Sequence, residues 1–260
     1  MEGAGVASAV DRPSPTIAVY YRLDKENAVP EHEMLVMENV SKTVPSPGGA
    51  DPIRILRGID LTLASGESVA VTGPSGSGKS TLLNLAGGLD RPTEGRVRIG
   101  GRDLAVLKDA EGARLRNLEI GFVFQLHHLL PQCSALENVL VPTLAGWTEE
   151  SPEALASRAR ELLRRVGLEE RLDHRPGQLS GGECQRVAVA RALVLSPRVV
   201  LADEPTGSLD GVSAGGVEDL LFRLCREDGV SLLLVTHAEA FSDRAGRRLA
   251  LVGGTLREGA

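Results

Sequence analysis

Alternating and short apolar runs govern the chain from Met34 onward. Met34–Val40 and Ile53–Leu63 read as strands, separated by the turn-rich PSPGGADP of Pro45–Pro52. The apolar run Ser68–Val71 predicts a third strand, and a glycine-rich stretch then opens a helix over Thr81–Gly87. After a turn at Asp90–Gly95, strands are expected at Arg96–Ile99 and Glu119–Phe124. Between Ser134 and Val166 the spacing becomes helical, with Leu155, Leu162, Leu163 and Val166 recurring among Arg and Glu. A helix over Gly182–Leu195, a buried strand at Val199–Asp203, a helix near Val217–Arg226 and a buried strand at Ser231–Thr236 follow. Short strands at Arg248–Val252 and Thr255–Arg257 close the chain. The alternation predicts an α/β domain with a β-rich lobe ahead of the glycine stretch and a helical insertion within it.

Residues 1–33 carry Pro13, Pro15 and Pro30 and no sustained periodicity, so a mobile extension is expected there, with folded sequence over 34–260. No internal repeat or heptad pattern occurs, which excludes solenoids and long coiled arms. Aromatics make up 3% of the 260 residues, so the core must be built from Leu, Val, Ala and Ile. The net charge of −6 gives no electrostatic footprint for a nucleic-acid backbone. Cys133, Cys184 and Cys225 are odd in number and widely spaced, and read as reduced thiols. No apolar run approaches the roughly 18 residues of a membrane span, and the first residues lack the basic start of a signal peptide. Any work at a membrane would then pass through a partner.

The glycine stretch narrows the chemistry. Gly73, Pro74, Ser75, Gly76, Ser77, Gly78, Lys79, Ser80 and Thr81 match the phosphate-binding pattern G-x-x-x-x-G-K-[ST] between a strand and a helix. Glycines let the backbone approach phosphate oxygens, and the helix N-terminus adds partial positive charge. Lys79 is expected to reach the terminal phosphates and Ser80 to ligate Mg²⁺. Asp203 and Glu204 end an apolar strand, where an open α/β sheet gathers its ligands. Asp203 suits Mg²⁺, and Glu204 suits a general base for the water attacking a γ-phosphate. Ser180, Gly181 and Gly182 read either as a second anion site at a helix start or as an N-cap followed by tolerated glycines.

The ordered set of the P-loop, Gln125, LSGGE at Leu179–Glu183, VVLADEP at Val199–Pro205, Ser208-Leu209-Asp210 and His237 resembles the ATP-binding cassette ATPases from about Met34 to the C-terminus. The resemblance implies a P-loop NTPase fold with a RecA-like core, an antiparallel β subdomain and a helical subdomain at about residues 126–180. It implies ATP and Mg²⁺ as cofactors, with Gln125 sensing Mg²⁺ and water and His237 contacting the γ-phosphate. By the same likeness Ser180–Gly182 of one copy cover the ATP of a second copy, and Asp210 lies at the seam of that homodimer. The segment Phe124–Asn138, with HHLLP at His127–Pro131, and His174-Arg175-Pro176 are similar to the lipoprotein-releasing members of the family. That implies integral membrane permease partners, no nucleic acid, and a place on the cytoplasmic face of the inner membrane. Macrolide or peptide exporters and cell-division-type ATPases that signal without transport share nearly all these motifs. Leu126, Leu129, Leu130 and Pro131 form either an apolar seat for a partner's helix or packing for the helical insertion.

Two positions depart from the family pattern. Cys184 follows LSGGE where Gln or Arg is common; the change is expected to be tolerated, with a thiol near the expected seam open to oxidation. Val44 stands where an adenine-stacking aromatic is usual, and no aromatic occurs between Tyr21 and Phe122. Lost stacking of about 0.5–1.5 kcal/mol predicts tighter ATP binding by Val44→Tyr, measured by calorimetric titration. Equal dissociation constants for the two proteins would refute it.

Overall fold

In a computed structural model, residues 33–46, 51–207, 209, 211–237 and 242–259 are described, with side chains at 211–214 excluded. The extension expected at residues 1–33 lies, apart from Glu33, outside them. Two sheets organise the chain. β1 (Glu33–Val44) and β2 (Ile53–Ala64) form an antiparallel pair. With β4 (Glu94–Ile99) and the two-residue β5 (Arg102–Asp103) they make a four-stranded sheet in the order β2-β1-β4-β5. The second sheet has the order β10-β9-β3-β8-β7-β6. Its strands are β3 (Ser68–Thr72), β6 (Ile120–Val123), β7 (Val199–Asp203), β8 (Ser231–Thr236), β9 (Arg247–Val252) and β10 (Thr255–Glu258).

Within the second sheet, β6, β7, β8, β3 and β9 run parallel, and β10 turns back antiparallel on β9. β7 and β8 are buried on both faces, which is why they read as unbroken apolar runs and not as alternations. Leu, Val, Ile and Ala dominate both core clusters, as the scarcity of aromatics requires.

Six helices connect or cover these strands among the described residues: α1 (Lys79–Ala86), α2 (Asp109–Glu119), α3 (Ala135–Leu140), α4 (Pro152–Arg165), α5 (Gly181–Leu193) and α6 (Gly211–Glu227). α2 carries no sequence signal because it is polar around most of its circumference, with Leu115 its one buried residue. The helical run expected over Ser134–Val166 is divided. A 3₁₀ turn at Val141–Ala145 containing Pro142, then Gly146 in the left-handed region at φ 66°, separate α3 from α4. Ser151 caps α4, accepting a hydrogen bond from Ala154 N, and Pro152 supplies its first residue.

One buried amide organises the surface ahead of α3. Asn138, fully buried, accepts from Leu130 N at 2.8 Å and donates to the carbonyls of Leu130, Cys133 and Ser134 at 3.1, 3.1 and 2.9 Å. Its amide thus replaces the secondary structure that residues 130–134 lack. Asn138→Ala is expected to destabilise the fold by about 1–3 kcal/mol in urea denaturation, the cost of leaving those groups unpaired. An unchanged midpoint would remove Asn138 from this role.

Candidate active site

Strand register decides which side chains meet. Thr72 of β3 lies opposite Thr236 of β8, Asp203 of β7 opposite Val235, and Val123 of β6 opposite Ala202. The residues that follow each strand therefore emerge side by side at the carboxyl edge: the P-loop, His237, Glu204 and Gln125. Glu204 is fastened to β8 by its own backbone, donating from N to Val235 O at 2.9 Å.

The P-loop is shaped by what its glycines avoid. A Cβ on Gly73 would come within 2.5 Å of Leu251 O on β9. Gly78, at φ 103°, precedes α1, and a Cβ there would press on Ile55 and Leu56 of β2 at 3.0 Å each. The loop is thus wedged between the two sheets' edge residues. Pro74, Ser75 and Gly76 form its exposed lip, and α1 has no acidic side chain in its first turn to compete with an anion. Thr81 lies half-buried one residue past the exposed Ser80. Ser77 Oγ is buried against Gly73 and without a hydrogen-bond partner among the described residues.

Lys79 is buried and donates from Nζ to Gly73 O at 2.9 Å and Pro74 O at 3.2 Å. The same ammonium lies 3.5 Å from Glu204 Oε1. The other carboxylate oxygen, Oε2, accepts from His237 N at 3.1 Å and meets His237 Nδ1 at 2.6 Å. Glu204 sits at φ 46°, left-handed for a residue with a side chain, at a cost of order 1–3 kcal/mol that the Val235, His237 and Lys79 contacts must offset. Asp203 accepts a hydrogen bond from the side chain of Ser80, while its Oδ1 is buried and unpartnered among the described residues. Burial pushes the Asp203 carboxyl above its ordinary range, and neighbouring Glu204 adds to the rise. Gln125 is exposed, and its side-chain amide lies against Gly207, where a Cβ would approach Nε2 to 2.9 Å.

Ser180 to Gly182 stand apart from this cluster. Ser180 caps α5: its Oγ accepts from Glu183 N at 3.2 Å and its N donates to Glu183 Oε2 at 2.7 Å. None of these bonds reaches the P-loop. Ser180 and Gly181 are exposed at the helix start, and the N-cap reading of these residues is met. Asp210 and Ser208 lie outside the described residues. Val44 ends β1 opposite Ile53 and is half-buried.

Cys184 corrects an expectation. It is buried, points toward Pro176 O and belongs to the core cluster around α5, and burial pushes its thiol up. Such a thiol is shielded from oxidants, contrary to the sensitivity read from sequence. The leucines ahead of α3 divide: Leu129 is buried, whereas Leu126 and Leu130 are 61% and 40% exposed. The packing alternative is met by Leu129, which joins the core cluster.

Sequence reading missed the side chains that tie the sensor loop to α5. Gln185, fully enclosed, donates to Phe124 O at 2.8 Å, one residue before Gln125. Arg191 donates to the carbonyls of His127 and His128 at 2.7 and 2.8 Å. Burial draws the Arg191 guanidinium below its usual range, and burial, Arg191 and His128 lower His127. Glu218 was also missed. It is fully buried on α6 and accepts from Thr206 Oγ1 at 2.6 Å. A carboxylate among the apolar positions Val217, Leu221 and Leu224 was the available signal.

The family model described as ABC transporter matches residues 56–207. Relatives named lipoprotein-releasing system ATP-binding protein LolD include one from Geobacter metallireducens, 54% identical over 208 residues, 80% of this chain and 92% of that protein. Another, LolD 1 from Rhodopirellula baltica, is 50% identical over 223 residues, 86% of this chain and 96% of its own. Among solved structures, a dimer of the ATP-binding cassette MJ0796 bound to ADP and Pi superposes with a TM-score of 0.77 at 40% identity, covering 86% of this chain and 98% of that one. A second dimeric structure of the MJ0796 ABC transporter cassette gives 0.79 at 42% identity, with 87% and 98% covered.

Burial raises the Glu218 carboxyl to about 7, above the ordinary glutamate value. A raised folded-state value means that its stabilising contribution is complete at low pH and is lost as pH rises through about 7. Glu218→Gln is therefore expected to gain thermal stability relative to wild type between pH 5 and pH 8, measured by paired melting curves. A pH-independent difference would contradict it.

Proposed function

The chain belongs to the ABC transporter family of ATPases, and from that premise we propose that it is the ATP-hydrolysing subunit of a system that releases lipoproteins from a membrane. ATP binding and hydrolysis follow from the family; lipoprotein release is supported by the similarity to LolD proteins along nearly their whole length. The observation that carries the mechanism is the convergence of Lys79, Glu204 and His237 at one strand edge.

Lys79 exchanges its loop carbonyls for the terminal phosphate oxygens of ATP, with the backbone amides of Gly73 to Thr81 around them. His237 occupies Glu204 Oε2, which leaves Oε1 to take the proton of the attacking water. The water oxygen bonds to the γ-phosphorus as the β–γ bridge breaks, and ADP departs with the bond's electron pair. Mg²⁺ suits the hard oxygen donors present: the unpartnered Asp203 Oδ1, the Ser80 hydroxyl and the Gln125 amide. Bound there, it would neutralise charge on the β- and γ-phosphates.

The exposed Ser180 and Gly181, with the buried Gly182 behind them, are assigned as the cover for ATP on the P-loop of a second copy; Asp210, assigned to the seam by the family likeness, lies outside the described residues. The dimeric state of the MJ0796 structures supports this arrangement. No helix of the described residues is long and apolar enough to cross a membrane. The similarity to LolD proteins supports placing the subunit peripherally on the cytoplasmic face of the inner membrane. It drives permease partners seated on the exposed Leu126 and Leu130, with Arg191 and Gln185 holding that surface to α5. ATP favours the closed dimer and hydrolysis resets it.

Glu204→Gln keeps the side chain's shape and removes its proton acceptor. It is expected to retain ATP binding, to accumulate as an ATP-dependent dimer in size-exclusion chromatography, and to hydrolyse ATP ~10²–10⁴ times more slowly. Turnover near wild type would assign the base elsewhere. In proteoliposomes containing the co-purified membrane partner and a radiolabelled lipoprotein, ATP-dependent release that Glu204→Gln abolishes is the expected outcome; ATP turnover without release would exclude the proposed cargo.

A further inference from the structure

We propose that Glu218 is a positioning residue of the ATPase site, holding through Thr206 the turn that carries Glu204 at one end and backs Gln125 at the other. This deepens the ATPase reading and rests on it. The turn is short and closed on itself: Gly207 N donates to Glu204 O at 3.0 Å, and Leu209 N to Thr206 O at 3.0 Å. On the strand side, Glu204 is fixed by Val235 O and His237. On the helix side, the side-chain link between Thr206 and Glu218 ties the turn to α6. Thr206 is 8% exposed and Glu218 0%, so the 2.6 Å bond is made where water does not compete.

A purely structural role explains this poorly. Glu218 lies on the core-facing side of α6 beside Val217, Leu221 and Leu224, where an aliphatic side chain would pack without the desolvation cost of a carboxyl. Its second oxygen, Oε2, is buried with no hydrogen-bond partner among the described residues. The fold carries an incompletely satisfied carboxyl at one position only along that stripe, and that position touches the turn between the base and the sensor. Glu204 holds a left-handed conformation that persists only while its surroundings enforce it. The Gln125 side chain lies over Gly207, its Nε2 2.9 Å from where a Cβ would stand, so the turn and the sensor side chain are immediate neighbours. The charged groups acting on Glu218 are Arg244 and His237, which favour its ionised form, and Glu204, which disfavours it. The catalytic pair and the positioning carboxyl thus share one electrostatic environment.

The test is steady-state ATP hydrolysis by the full-length chain, comparing wild type, Thr206→Val, Glu218→Leu, their double variant and Glu218→Gln, with melting curves for each. Thr206→Val and Glu218→Leu are each expected to lower kcat about tenfold with KM for ATP changed by less than about twofold. The double variant should lose no more than about tenfold, because both changes break one link. Glu218→Gln, which still accepts from Thr206, should restore kcat to within about threefold of wild type. If Glu218→Leu fails to fold, Thr206→Val against Glu218→Gln decides the same question. Unchanged kcat in folded Thr206→Val, a loss confined to KM, or losses that multiply to about a hundredfold would overturn the proposal. An inactive wild type would instead overturn the ATPase reading beneath it.

Discussion

The pairing of β3, β8 and β7 in parallel register is the constraint on which the rest of the structure depends. Because Thr72 faces Thr236 and Val235 faces Asp203, the P-loop, His237 and Glu204 leave their strands at one level. A slip of one residue in β7 would send Asp203 and Glu204 to opposite faces of the sheet and separate both from the loop. The unbroken apolar character of β7 and β8 prevents the slip only in part, since a strand buried on both faces tolerates either orientation. Specific anchors complete the registration: Glu204 N on Val235 O, and His237 N on the Glu204 carboxylate.

At that edge the electrostatics are tightly matched. A buried ammonium and a mostly buried carboxylate 3.5 Å apart are costly to desolvate, and the cost is offset by hydrogen bonds to carbonyls on one partner and to His237 on the other. The strained backbone of Glu204 adds to the demand. The site is therefore held in a geometry suited to negative phosphate oxygens and a reacting water, and remote contacts carry the burden of keeping it there.

α5 and α6 distribute that burden. α5 begins with the exposed cap of Ser180, reaches the backbone before Gln125 through Gln185, and grips His127 and His128 through Arg191. One helix thus joins the outward-facing Ser180 and Gly181 to the surface bearing Leu126 and Leu130. α6 approaches from the other side and meets the turn after Glu204 at Thr206. Both helices are thus tied to segments beside the phosphate site by a small number of hydrogen bonds, of which the Thr206–Glu218 bond is buried.

The sequence by itself determined the elements whose chemistry is local. Gly73 to Thr81 declared a phosphate loop because glycine, lysine and hydroxyl spacing is dictated by backbone approach, and Val199 to Glu204 declared a buried strand ending in acids. The α/β class, the antiparallel β lobe and most strand positions were legible for the same reason. α2 was silent, since a helix with one buried residue leaves no period to read, and Pro142 and Gly146 divided a helical run whose periodicity masked the break. Tertiary structure alone decided that Cys184 faces the core, that Leu129 packs while Leu126 and Leu130 stay exposed, and that Gln185, Arg191 and Glu218 bond to the segments flanking Gln125 and Glu204. Each of those outcomes depends on how one segment packs against others apart from it in the chain, and linear order carries no record of that pairing.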